Sequence, residues 1–466
     1  MTTRTLELLH WNDVHGRFEG LARLSARARQ IRAEADHPML VLDGGDVEES
    51  SVRLSALTKG VAGWRLLGAA GVDAAVVGNG GLFRYGPGQL PHYAEALGSA
   101  PLVCDLTDAA GETPAGAAPY RLLKTGDLRV GVIGITDYYS AYDDFGLAER
   151  GRLTACTRAA RTLRADGADV VVMLSHAGLE HDRGVSWHLR GLVDVIVGGH
   201  THHLLDGGAP ESGIPIVQAG CYAEHLGRVR LEIDADGVRV VDMRVEPVGE
   251  DVSPDPVVLD ELAACERDLD AWLAEPVGVL DQAAPWAEPG EDSPVARLLA
   301  QALLSTYPAE LGLVVGLHCT AGLAAGTLTR GDVWAATSSP GNAATCTLTG
   351  AQLRRMVRIG SSREYAARSR RAARGRFGRL HVVGDGVTQS DGQLMVGGKP
   401  PDDERRYRVT GSDFELGQYG ELLDSPPEDL VVHTPEILPE LLEAHLTRAS
   451  AGTPPDARPA GSPSRR

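Results

Sequence analysis

Several residues that bind metals or move protons fall in a repeated position along this chain. Asp13 and His15 follow the apolar run Leu6–Leu9, and Asp46 follows Met39–Leu42 through Asp43-Gly44-Gly45. Asn79 follows Ala74–Val77, His176 closes Val170–Leu174 after Ser175, and His200 and His202 follow Val193–Val197 behind two glycines. Carboxylate, imidazole and one amide oxygen, without a thiol, suit manganese, iron, zinc or a similar divalent ion. Seven such groups exceed the needs of one tetrahedral site and fit two ions that share a bridge. A pair of ions of that kind can clamp the attacking and leaving oxygens of a phosphoryl displacement. Each piece alone has a plainer reading: Asp46 as a helix cap, Asn79 as a turn residue, His176 as a structural imidazole. The five together, each behind an apolar run, point to a metal centre.

The apolar runs read as strands, joined by Val130–Ile135, and Leu21–Ala35, Gly60–Ala70 and Cys156–Ala165 read as amphipathic helices between them. Alternation of strand and helix implies layered α/β architecture, in which ligands gather at the carboxyl ends of strands. Ile214–Gln218, Gly227–Ile233 and Val238–Val245 read as antiparallel strands, the last two joined by a turn at Asp234–Gly237. Residues 1–250 therefore form one domain and 251–275 a linker with a helix over Val257–Leu273. A second domain spans 276–446, with helices at Pro294–Ser305 and Gly350–Ile359 and strands at Leu311–Val315, Leu380–Val383 and Tyr407–Thr410. Residues 447–466, rich in Ser, Pro, Gly, Ala and Arg, read as a disordered tail.

The chain has 466 residues and a formal net charge of −18, which argues against long nucleic acid as the main partner. Small phosphorylated ligands stay open, since bound cations reverse a local field. The six cysteines are dispersed, with no Cys-x-x-Cys pair. That usage, with no secretory signal or apolar span in view, leads to the expectation of a cytoplasmic protein with no membrane partner.

Asp13-Val14-His15-Gly16, Gly45-Asp46, Gly78-Asn79, Ser175-His176 and Gly199-His200-Thr201-His202 resemble the calcineurin-like metallophosphoesterases. Within these, the opening Leu8-Leu9-His10-Trp11-Asn12-Asp13-Val14-His15-Gly16 is similar to the signature of the two-domain 5′-nucleotidase family. The resemblance implies a four-layer αββα sandwich followed by a smaller α+β substrate domain. It implies one metal on Asp13, His15 and His202, a second on Asn79, His176 and His200, and Asp46 between them. Hydrolysis of a phosphate monoester by metal-activated water would follow, on a nucleotide or another small phosphorylated metabolite. A phosphodiesterase, or a metal-binding protein without catalysis, is the alternative.

Two departures bear on that expectation. The family continues Gly-Asn with His-Glu, an aromatic and Asp, and its His contacts the transferred phosphoryl group; here Gly80 and Gly81 follow Asn79, and no Asp comes after them. Arg84 and His181 are the candidates to replace that His, unless catalysis is lost or the substrate has a leaving group that needs no acid. In the second domain the position of the family's phosphate-directed Arg reads Ala324, while Phe377 and Phe414 are candidates to stack on a base. Ten arginines between Arg354 and Arg379 offer either phosphate contacts or a solvated face; an oligonucleotide-binding role is the outside reading.

Overall fold

The structure is a computed structural model that describes residues 3–210, 212–369, 376–390, 392–417 and 420–451. The chain divides after Leu269 into two compact units.

The first unit holds two five-stranded sheets. One runs Gly237–Pro247, His225–Asp234, Arg4–Trp11, Met39–Asp43, Ala74–Ala75; the other runs Ile216–Val217, Val195–Gly198, Val170–His176, Leu128–Thr136, Tyr120–Thr125. Alternate residues of both sheets, among them Leu6, Leu8, Leu40 and Leu42 from the first and Val130, Val132, Val170 and Val172 from the second, meet in one core. The intervening positions of the second sheet, such as Ile133, Ile135, Val171 and Met173, pack against Cys156, Ala159, Ala160 and Leu163 of the helix Arg152–Ala165. Strands buried on both faces explain why the sequence shows continuous apolar runs rather than alternation. Four layers follow, with helices outside and two sheets inside.

Register aligns the strand ends. Trp11 pairs with Asp43 and Asp43 with Ala75 in the first sheet. Thr136 pairs with His176 and Ser175 with Gly198 in the second. The loops that leave these parallel strands therefore start at one level. Ile216–Val217 was expected antiparallel and is parallel to Val195–Gly198, so the connection between them is a crossover rather than a hairpin. Gly237–Pro247 and His225–Asp234 do form the expected hairpin.

The second unit is built on one mixed sheet, ordered Leu380–Val383, Leu311–Val315, Arg406–Ser412, Asn342–Thr349, Val431–Ile437. Helices Pro294–Thr306 and Leu438–Ser450 share one core with it, and Gly350–Gly360 contributes to another. Thr349 and Gln352 cap Gly350–Gly360 reciprocally, which fixes that helix start. The helix Leu438–Ser450 runs through Thr447, so residues 447–450, expected in the tail, are helical. Its apolar stripe, Leu438, Leu441, Leu442 and Leu446, is buried at helical spacing and carries the helix past Thr447. Residues 452–466 lie outside the described residues.

Candidate metal centre

Asp13 is the hub of the cluster. Its carboxylate is completely buried, and Oδ1 lies 3.3 Å from His202 Nε2, 3.6 Å from His15 Nε2 and 3.9 Å from His176 Nε2. Oδ2 is held by the His200 backbone N–H at 2.9 Å and the Asn12 amide at 2.6 Å. Asn12 is fixed in turn by Ala219 N–H and Gly220 C=O. His15 and His202 approach to 3.1 Å between their Nε2 atoms, under the half-exposed ring of Tyr222.

A second group joins Asp13 to Asp46 and His176. His176 Nε2 is 3.3 Å from Asp46 Oδ2, and Nδ1 is oriented by Gly44 C=O at 2.7 Å. The His200 ring meets Asn79 Oδ1 at 2.8 Å and packs against the His176 ring at 5.3 Å between centroids. The seven candidate ligands thus converge from five strand ends. The resemblance puts Asp46 between the two metals, and Asp13 belongs to both of the carboxylate–imidazole groups. Gly80 N–H donates to Asp46 Oδ1 at 2.8 Å, and Asp46 Oδ2 lies toward His176.

Backbone geometry marks the same residues. Asp13, His15, Asp46, His200 and His202 all have positive φ, between 46° and 71°. Non-glycine residues rarely adopt that region, and such strain collects at functional sites. Gly78 is obligatory beside them, since a Cβ there would lie 2.1 Å from Asp46 Oδ1.

The charges are unbalanced in a way that suits cations. Burial by itself lowers the pKa of His176, but the Asp46 and Asp13 carboxylates outweigh it and raise it to about 10. Burial opposes ionisation of Asp13, yet the adjacent His15 and His202 imidazoles and the charge of His176 hold it well below the usual carboxylate range. Asp13 Oδ1 and His176 Nε2 are buried and have no hydrogen-bond partner. Two such buried electron-pair donors left bare beside each other fit a divalent ion, which accepts electron pairs from both.

The remaining candidates fall elsewhere. Arg84 lies on the helix Asn79–Tyr85 and reaches Ser50 Oγ at 3.3 Å. His181 is exposed and turns its Nδ1 back to Ala177 C=O, 2.9 Å away in the preceding turn. Phe377 is not available to stack on a base: it is 1% exposed, packed between Tyr365 and Phe414. Phe414 is half-buried, edge-on to Phe377 and His318. Arg354 pairs with Asp403, Arg355 with Asp424, and Arg368 with Glu364 and Glu421, so this part of the arginine run is a salt-bridged face. Arg370, Arg371 and Arg374 lie outside the described residues. Arg376 and Arg379 line a cavity of about 190 Å³ with Trp286, Ser293 and His381.

Two groups escaped the sequence reading. Glu48 is buried, takes the Trp64 indole N–H at 2.6 Å, and is pushed up to about 7 chiefly by burial. It fills the space above Gly81, where a Cβ would come within 2.5 Å of its Oε1. Asp137 follows the sixth strand, Leu128–Thr136, and places Oδ2 3.7 Å from His200 Nε2. The signal is in the sequence, since the apolar run Val130–Ile135 too leads to a carboxylate.

Residues 276–423 match the family model of the 5′-nucleotidase C-terminal domain. Over 95% of its length the chain is 26% identical to the uncharacterized metallophosphoesterase YunD of Bacillus subtilis, covering 99% of that protein. Residues 276–423 are thus similar to a 5′-nucleotidase C-terminal domain, and the chain as a whole is similar to a metallophosphoesterase. It is also 26% identical to the 5′-nucleotidase of Bos taurus over 59% of this chain, and spans about half, 54%, of that relative's length. Two solved structures share the fold of this chain across nearly its whole length. The Haemophilus influenzae NAD nucleotidase matches with TM-score 0.52 at 16% identity, over 97% of each chain. A putative 5′-nucleotidase from Staphylococcus aureus matches with TM-score 0.52 at 17% identity, over 96% of this chain and 97% of that one. The relatives that the chain matches are named as 5′-nucleotidases and a metallophosphoesterase. Among the described residues, no helix is long and apolar enough to cross a membrane.

Proposed function

We propose that the protein hydrolyses a phosphate monoester, on a nucleotide or another small phosphorylated metabolite, with two divalent ions. Asp13, His15, Asp46, Asn79, His176, His200 and His202 would hold them. The observation that carries this reading is the convergence of those side chains around the bare Asp13 Oδ1 and His176 Nε2. Bound there, the ions supply Lewis-acid neutralisation of the phosphoryl oxygens and a lowered pKa for the attacking water. The chain's own share is orientation. Gly44 C=O fixes the tautomer of His176, Gly80 N–H aims one oxygen of Asp46, and Asn12 locks Asp13. Six free cysteines, five of them buried, are compatible with the cytoplasmic location expected from the sequence.

The test is phosphate release with added manganese from nucleoside 5′-monophosphates, sugar phosphates and an aryl phosphate, with Asp46→Ala in parallel. Turnover that disappears in the variant supports the reading. Turnover that persists in a metal-free variant overturns it. Absence of turnover on every monoester favours the alternatives, which a panel of phosphodiesters then separates.

A further inference from the structure

Tyr222 stands over one half of the cluster at a cost in backbone conformation. Its φ is 59°, and that of Ala223 after it is 57°. A bulky side chain in the left-handed region is a true outlier, held only where the surroundings impose it. Here two loops are tied together. Tyr222 N–H donates to Asp13 C=O at 2.7 Å. Just before it, Gly220 C=O accepts from the Asn12 amide at 2.6 Å and Ala219 N–H donates to Asn12 Oδ1 at 2.9 Å. The loop after Ile216–Val217 is thereby bound to the loop that carries Asp13 and His15.

The strained conformation decides where the ring lies. Its centroid is 5.7 Å from that of His15, tilted by 52°, and 5.6 Å from that of His202, at 72°. The two imidazoles are 5.1 Å apart, so the three rings close a triangle. The Arg17 guanidinium covers the phenol, with Cζ 5.6 Å from its centroid. This is the open side of the cluster. The His15 and His202 side chains are 17% and 34% exposed, whereas His176 is fully buried. A buried imidazole is held by its walls, and Gly44 C=O orients this one at 2.7 Å. His15 and His202 have Tyr222 as their wall.

We propose that Tyr222 is a positioning residue for a divalent metal, its ring keeping the His15 and His202 imidazoles converged beside Asp13. The inference rests on the two-ion site proposed above and concerns only the half that Asp13, His15 and His202 would form. Metal ligands that are free to turn must be ordered when the ion binds, and a contact that orders them beforehand raises affinity.

Tyr222→Gly separates this role from plain packing. Glycine takes a φ of 59° without strain, so the variant keeps the loop conformation and loses the ring. Manganese(II) binding to the chelator-treated full chain is measured by calorimetric titration for wild type, Tyr222→Gly and Tyr222→Phe, together with the melting temperature of each metal-free protein. In Tyr222→Gly one site is expected to weaken by about 10–100-fold and the other to stay within about threefold, with little change in the metal-free melt. Tyr222→Phe, which retains the ring, is expected to match wild type. Equal weakening of both sites, weakening of neither, or a loss in Tyr222→Phe as large as in Tyr222→Gly overturns the proposal and leaves the two-ion reading intact. A metal-free melting temperature that falls in step with the lost affinity makes the effect one of folding and overturns it as well. A wild-type protein that binds fewer than two manganese ions removes the two-ion reading and this inference with it.

Discussion

Asp13 Oδ1 and His176 Nε2 face each other across 3.9 Å, both buried and neither hydrogen-bonded. One atom comes from the loop after the first strand of one sheet and the other from a strand end of the opposite sheet. The pair therefore ties the two sheets through whatever lies between them. A cation bound to both stabilises the folded state alone, by about 2.7 kcal/mol when its free concentration is a hundred times its Kd. Adding manganese or zinc to chelator-treated protein should raise Tm by several degrees, and His176→Ala should abolish that rise. The measurement is a thermal melt of both proteins with and without metal.

Gly78 is the most sterically exacting position of the site. With 2.1 Å between its hypothetical Cβ and Asp46 Oδ1, Gly78→Ala must displace the Asp46 carboxylate. Bound metal, measured by elemental analysis, should fall together with turnover, by at least about tenfold in kcat. Gly88, where a Cβ meets open space, is the control: Gly88→Ala should change neither.

The convergence of the seven residues was legible from the sequence because each follows a strand, and strands buried on both faces announce themselves as apolar runs. The fold of the first unit followed from the same runs. The parallel pairing of Ile216–Val217 was not legible, since two residues beyond a long irregular loop carry no periodicity. Glu48 was missed because its meaning depends on Gly81, which is distant in sequence and adjacent in space. Phe377 looked available because an aromatic beside arginines offers the same pattern whether it faces a ligand or a core. Only Tyr365 and Phe414, brought in from elsewhere in the chain, decide between them.

Gly80→His tests whether the missing side chain limits the rate. The position lies in the first turn of its helix with no positive φ, and its Cβ direction points at Asp46 with a contact of 3.0 Å, tight but relieved by a small shift. An imidazole there should raise kcat/KM on alkyl monoesters by about tenfold or more and change aryl esters little. Unchanged rates on both would show that another group already supplies the function.

Phe377 should act on stability and not on substrate affinity. Its ring is buried with Tyr365, Phe414 and Leu380 in the core of the second unit. Truncation to alanine should cost about 3–5 kcal/mol, read by denaturant unfolding of that unit. KM for the best substrate should stay within about twofold at a temperature where the variant is folded. A KM that rises tenfold with stability unchanged would return Phe377 to the ligand.

His10 gives the stability of the first unit an acid limit. The ring is fully buried, lies over Gly227 on the neighbouring strand, and has no hydrogen-bond partner at either nitrogen. Burial lowers its pKa from about 6.5 to about 3. The unfolded chain therefore binds a proton over that window while the folded chain does not. Its contribution is fully present above pH about 6.5 and is lost as the pH falls toward 3, at up to about 1.4 kcal/mol per pH unit. His10→Leu, similar in volume and never charged, should lose about 1 kcal/mol less than wild type between pH 7 and pH 5.5. Urea unfolding of both proteins at the two pH values, with chelator present throughout, measures the difference. Parallel losses in the two proteins would show that His10 is already protonated when folded.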